Sequence, residues 1–269
     1  MEAQEQPIVA IGVDGARGGW VAAYLRASPL DERDQVDGHA RAGWQTALRL
    51  FGDIEELAAF RRRSAPEAPV CIDVPIGLPD RVGYRPCDLK ARERLGRRAS
   101  SVFTPPARYL LDVAGDYAKI RARIAEERNR NPAEKGMSAQ AAGIAPKVRE
   151  VDTWVREHPE SEDWLLECHP EVSFHKLDPE TIRHPKASAV GLARRLLAIK
   201  GVFRDALERI ASLDGDDAGG DGWRKVGASD VLDAYAALFT AVRCARGEAE
   251  PLGNEGDRDS AGVVMRIMV

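Results

Sequence analysis

The chain has 269 residues, with 39 lysines and arginines against 43 aspartates and glutamates, and a formal net charge of −4. Hydrophobic residues make up 44% and charged residues 30%, a balance that excludes a disordered chain. No apolar run reaches the roughly 18 residues that read as a membrane span. The segment MEAQEQPIV has no basic start and no long apolar stretch, so no secretory leader is expected.

Residues 8–13, IVAIGV, form an apolar run ending at Asp14 and read as a buried strand. GARGG follows, then WVAAYL at 20–25, which together predict a β-hairpin. Residues 31–43 are polar and read as a loop; TALRLF at 46–51 reads as a third strand. Asp53 is placed to cap the helix IEELAAFRRR, whose basic residues fall in the last turn. VCIDVPIG at 70–77 is a fourth strand interrupted by Asp73. Helical patterns follow at 87–97, 106–128 and 138–157, separated by Pro105-Pro106 and the loop NRNPAEKG. WLLECHP at 164–170 reads as a fifth strand, and 187–210 as a helix. DGDDAGGDG at 214–222 is an acidic loop without the spacing or closing glutamate of a calcium loop. Residues 229–246 form the clearest helix, with Ser229 as its expected cap. These elements predict an α/β fold: a five-stranded mixed sheet flanked by helices. It is read as one domain over 1–269, with 86–160 as a helical insertion between strands four and five.

The four cysteines, Cys71, Cys87, Cys168 and Cys244, are far apart and form no Cys-x-x-Cys pair. Neither a disulfide framework nor a thiolate zinc site is expected, and a cytoplasmic location fits best.

The chemistry lies in the acids. Asp14 closes the first strand, Asp73 interrupts the fourth and Glu167 the fifth, while Asp230 and Asp233 share a face of the last helix. A carboxylate inside an apolar strand is costly unless it is paired or bound to a cation. Strands delivering carboxylates to one sheet edge would build an all-oxygen site for Mg2+ or Mn2+. Two such ions about 3.5–4 Å apart can activate water and stabilise a leaving oxygen in phosphodiester cleavage. Each acid also has a plainer reading. Asp14 would shape the turn before Gly15; Asp73 would accept from nearby amides; Glu167 would pair with an arginine of the helical segment. Asp230 would sit in a helix's first turn, and Asp233 on a solvated face.

The segments GVDGARGGWVAAYL, CIDVPIGLPD, CDLKARERLGRRASSVFTPPAR, KVREVDTWV, LECHPEVSFHKL and ASDVLDAYAALFTAVR resemble, in order, the DUF429 family. That family is described as predicted nucleases of the RNase H-like fold, and the resemblance runs from about residue 8 to about 247. DVLDAYAAL is also similar to the D-x-x-D-A-x-A pattern of RuvC-type resolvases, whose two aspartates belong to a metal site. The resemblance implies Asp14 as the first-strand acid, Asp73 as the fourth-strand acid, and Asp230 with Asp233 as the last-helix acids. Glu167 has no agreed counterpart in that pattern. Where the family often carries a lysine in an S-K-Q segment, this chain has Ser138-Ala139-Gln140.

Arg17, in the turn beyond Asp14, and Ser100 and Ser101, after a basic helix end, are candidate phosphate contacts. Lys147, Glu150 and Asp152 suggest a polar helix face, and His169 is placed beside Glu167 for proton transfer or metal binding. Residues 81–130 hold 13 lysines and arginines against 6 acids, a surplus of seven. Arg97, Arg98 and Arg108 interleave there with Phe103 and Tyr109, a combination suited to nucleic acid. The expected function is a metal-dependent nuclease or phosphodiesterase: Asp14, Asp73 and Asp233 bind metal, while Asp230 and Glu167 assist. The rivals are a non-catalytic binding module on the same scaffold and an actin-like or sugar-kinase phosphotransferase. The latter is disfavoured because residues 160–269 lack a second Asp-x-Gly hairpin.

Overall fold

The computed structural model describes residues 6–27, 44–214, 222–254 and 256–269. The loop read at 31–43 and nearly all of the acidic loop at 214–222 lie outside the described residues.

Strands β1 (Ile8–Ala16) and β2 (Gly19–Arg26) pair antiparallel around a two-residue turn, Arg17-Gly18. Gly18 has φ 90°, which glycine adopts without steric cost. Strand β1 outruns the expected end at Asp14 because Gly15 and Ala16 continue the ladder opposite Trp20 and Gly19. Strand β3 (Gln45–Phe51) pairs antiparallel with β2. Helix α1 (Ile54–Ser64) starts where expected, with Asp53 Oδ1 accepting from Glu56 N at 2.8 Å. Strand β4 (Val70–Ile72) pairs parallel with β1. It stops short of residue 77, since Pro75 lacks the N–H a ladder needs and Gly77 turns at φ 73°. With β5 (Leu165–Glu167) the strand order is β3-β2-β1-β4-β5, a five-stranded mixed sheet flanked by helices.

The chain divides into two compact units: residues 1–73, 168–249 and 269 in one, and 74–167 with 250–268 in the other. The first holds β1 to β4 and α1, together with α5 (Pro170–Leu177), α6 (Ala189–Val202), α7 (Ala206–Ala211) and α8 (Ala228–Ala245). The expected single helix at 187–210 is two. Phe203 leaves helical geometry to bury itself against Tyr235, and Asp205 accepts from both the amide and the hydroxyl of Thr46 at 2.9 Å. Tertiary packing outweighs local propensity here. The N-cap of helix α8 is Gly227, not Ser229: Asp230 reaches back from the third helical position to accept from Gly227 N at 3.0 Å. Cysteines distant in sequence meet in this unit: Cys71 Sγ lies 3.8 Å from Cys244 Sγ and hydrogen-bonds with Cys168. All are thiols.

Helix α8 lies against β1 so closely that Gly12 has no room for a side chain. A Cβ there would stand 1.9 Å from Leu238 N and 2.4 Å from Ala234 O. This approach sets the height of the last helix along the central strand.

The second unit holds β5, α2 (Pro86–Leu95), α3 (Tyr117–Arg130), α4 (Ala139–Glu157) and a small antiparallel ladder of β6 (Pro251–Leu252) and β7 (Ile267–Met268). The expected helix at 106–128 is broken. Residues 108–113 form a 3-10 turn, Gly115 has φ 98°, and Asp116 caps α3 by accepting from Lys119 N at 3.1 Å. Val82, Leu110, Ile120, Ile124 and Ala141 sit in its core. Among the described residues, no helix is long and apolar enough to cross a membrane.

Candidate active site

Val13 and Ile72 face each other in parallel register, so Asp14 and Asp73 are the next residues along two neighbouring strands. Side-chain alternation puts both on one face. Asp73 N continues the ladder by donating to Val13 O at 2.9 Å, and Asp14 Oδ1 accepts from Gly15 N at 2.8 Å. Gly12, two residues before Asp14, opens that same face to α8. Asp233 immediately precedes Ala234, whose carbonyl bounds the Gly12 approach, and so arrives beside the two strand acids.

Asp14 is 8% and Asp233 3% exposed, while Asp73 keeps part of its surface open. Burial pushes the Asp14 carboxyl well above its ordinary range, and Asp73 and Asp233 add to the rise. Burial raises Asp73 to about 6, against the pull of Lys186 and of a hydrogen bond with Asp14. Burial raises Asp233 to about 7, again opposed by Lys186. Among the described residues, desolvation and like charge thus outweigh the one cation that acts on all three acids.

That cation is Lys186, whose Nζ donates to Asp233 Oδ2 and which also attracts Asp14 and Asp73. Burial lowers its pKa, but the acids around it win and hold the ammonium above its ordinary value. The other oxygen of Asp233, Oδ1, is buried and has no hydrogen-bond partner among the described residues. Glu171, on α5, is buried near these acids but pairs with Arg195, whose Nη2 stands 2.5 Å from its Oε1.

The profile of a family described as "Protein of unknown function (DUF429)" matches residues 12–258. The chain belongs to the DUF429 family. No curated protein and no solved structure matches it. The family match spans Asp14, Asp73, Lys186 and Asp233 alike.

The remaining candidates in this DUF429 chain fall elsewhere. Asp230 is near enough to raise the pKa of Asp14, yet both its oxygens serve the start of α8: Oδ2 accepts from Gly227 N and Oδ1 from the Ser229 hydroxyl. Glu167 takes its plainer reading. Arg85 grips it through two bonds, Nη2 to Oε1 at 2.6 Å and Nη1 to Oε2 at 2.8 Å. His169 is the N-cap residue of α5, and Arg17 is exposed at the tip of the first hairpin. Arg97, Arg98, Ser100 and Ser101 lie in the 3-10 turn at 96–101, where the Ser101 hydroxyl donates to Arg98 O at 2.8 Å. Lys147 and Glu150 lie half-buried on α4, while Asp152 is buried and holds Arg108 and Arg156. The Tyr109 hydroxyl donates to Glu134 at 2.9 Å, and Phe103 is exposed. Much of the basic surplus of 81–130 is engaged within its own unit: Arg85 with Asp88 and Glu167, Arg108 with Asp152 and Asp259, and Arg92 with the carbonyls of Ala99 and Val102.

Sequence reasoning missed Lys186 and Glu171. A lysine in the connection HPKAS, ahead of the α6 cap Ser188, belongs to no periodic pattern. The one available signal was physical: buried acids at strand ends demand a cation. But His175 and Lys176 close α5, Arg183, His184 and Lys186 follow before α6, and the sequence does not single out Lys186 among them.

Proposed function

We propose that this protein is a metal-dependent phosphodiesterase acting on nucleic acid, with Mg2+ or Mn2+ held by Asp14, Asp73 and Asp233. One observation carries the reading: among the described residues, three acids are crowded onto one face with a single lysine among them, and a buried oxygen of Asp233 has no partner. Carboxylates crowded in this way are stable together only when protonated or when a cation joins them. The donors are all oxygen, which suits a hard divalent ion. Among the described residues, no group of three or more acid, histidine or cysteine side chains is arranged to hold a metal ion as it stands. The ammonium of Lys186 rests on Asp233 instead. When bound, the ion supplies Lewis acidity toward a phosphodiester and a water. The chain's own part is to hold the carboxylates in fixed register on β1, β4 and α8. Lys186, 39% exposed at its side chain, offers a positive charge to a phosphate.

The test is cleavage of single- and double-stranded DNA and RNA in Mg2+ or Mn2+. Wild type should cut at least one of them, and Asp14→Asn and Asp73→Asn should not. Equal cleavage by wild type and Asp14→Asn would remove these acids from the reaction.

A further inference from the structure

We infer that Lys186 permanently takes one of the two cation positions of the carboxylate site, so that the chain binds one divalent ion rather than a pair. This rests on the metal-dependent reading above. Three observations converge. First, Lys186 Nζ touches Asp233 Oδ2 while Oδ1 of the same carboxylate, in a residue 3% exposed, has no partner among the described residues. One oxygen is taken by the chain's own cation and the other is open for a ligand.

Second, the lysine is held from its backbone. Ser188 donates twice to Pro185 O, from its amide at 3.0 Å and from its hydroxyl at 2.8 Å, closing a tight turn over Lys186. Gly191 lets that turn seat on the first turn of α6, since a Cβ there would stand 2.0 Å from Pro185 O. A side chain anchored so close to its partners forms its ion pair at reduced entropic cost.

Third, the charges favour one ion over two. Glu171 is balanced by Arg195. Asp14, Asp73 and Asp233, with the charge of nearby Asp230, face Lys186. Fully ionised, they carry a residual charge of about −3, which one divalent ion brings to about −1 and two would reverse in sign.

Calorimetric titration of the whole protein with Mn2+, with no substrate present, measures the stoichiometry directly. Wild type should bind one ion per chain. Lys186→Met should bind two, and Lys186→Arg should stay at one. Far-UV circular dichroism checks that each variant is folded. Two ions on wild type would overturn the inference while leaving the metal reading intact. One ion on a folded Lys186→Met would do the same. No Mn2+ binding by wild type or by either variant would overturn the metal reading, and the inference with it.

Discussion

Each unit of the molecule contains a buried acidic cluster, and the two are built on opposite plans. In the second unit Asp88 and Glu167 share Arg85. Its guanidinium reaches both Asp88 oxygens, both Glu167 oxygens and the carbonyls of Ile76 and Gly77, and Ile76 N adds a further bond to Glu167. In the first unit Asp14, Asp73 and Asp233 share Lys186, and one carboxylate oxygen stays unpartnered. Raised pKa values do not separate the clusters, because burial lifts Glu167 to about 7 as it does Asp233. What separates them is hydrogen-bond satisfaction. A planar arginine fork closes every acceptor around it, whereas a lysine's point charge leaves room for another cation. The satisfied acids hold structure; the open oxygen among the crowded ones is what the proposed metal binding rests on.

The comparison can be broken first at Arg85. Arg85→Met strands two buried carboxylates and should cost about 3–5 kcal/mol in urea denaturation; a loss under about 1 kcal/mol would show that the cluster is no structural clamp. Gly12→Ala should come next. It drives a methyl into the backbone of α8 and should cost the upper part of about 1–3 kcal/mol, with weakened Mn2+ binding, because α8 carries Asp233.

The first unit's acids predict the opposite sign. Asp73→Asn should stabilise the metal-free protein at pH 8, by about 1–3 kcal/mol, because it removes a charge that burial disfavours. An acid whose folded pKa is raised binds more protons folded than unfolded, so stability falls as pH rises through its titration range. For Asp73 at about 6 and Asp233 at about 7, that fall runs from about pH 4 to pH 7. Melting curves in EDTA should show the slope in wild type and a shallower one in Asp73→Asn; equal slopes would mean that Asp73 is not held above its ordinary pKa in the folded protein. The smallest effect is Asp230→Ala, about 1 kcal/mol from the lost helix start. Its Mn2+ affinity should be unchanged, and a large drop would return Asp230 to the metal set.

The DUF429 segments lie in the order expected, and Asp14, Asp73 and Asp233 could be named from their positions at strand ends and on the last helix. Glu167 looked the same in sequence, an acid in a short apolar run, but its partner Arg85 lies 82 residues away. Arg85 was counted among the basic surplus expected to meet nucleic acid, although its side chain is 1% exposed. Charge counted along a chain does not distinguish a solvated arginine from a buried one. The broken helices failed for a related reason. Apolar spacing continued through Gly115 and Phe203, while a left-handed glycine and a buried ring ended the helices locally.

By itself the sequence determined what local chemistry controls: the β-β-β-α-β order, the Gly18 hairpin, the Asp53 cap and the placing of acids where strands end. These depend on neighbours within a few residues, so periodicity and capping rules reach them. Only the tertiary structure decided which acid meets which cation. It brought α8 against Gly12, set Asp233 beside Asp14 and Asp73, supplied Lys186 from a connection without pattern, and gave Glu167 to Arg85. Those pairings are separated by tens of residues and fixed by backbone approach and burial, neither of which leaves a local mark in the chain.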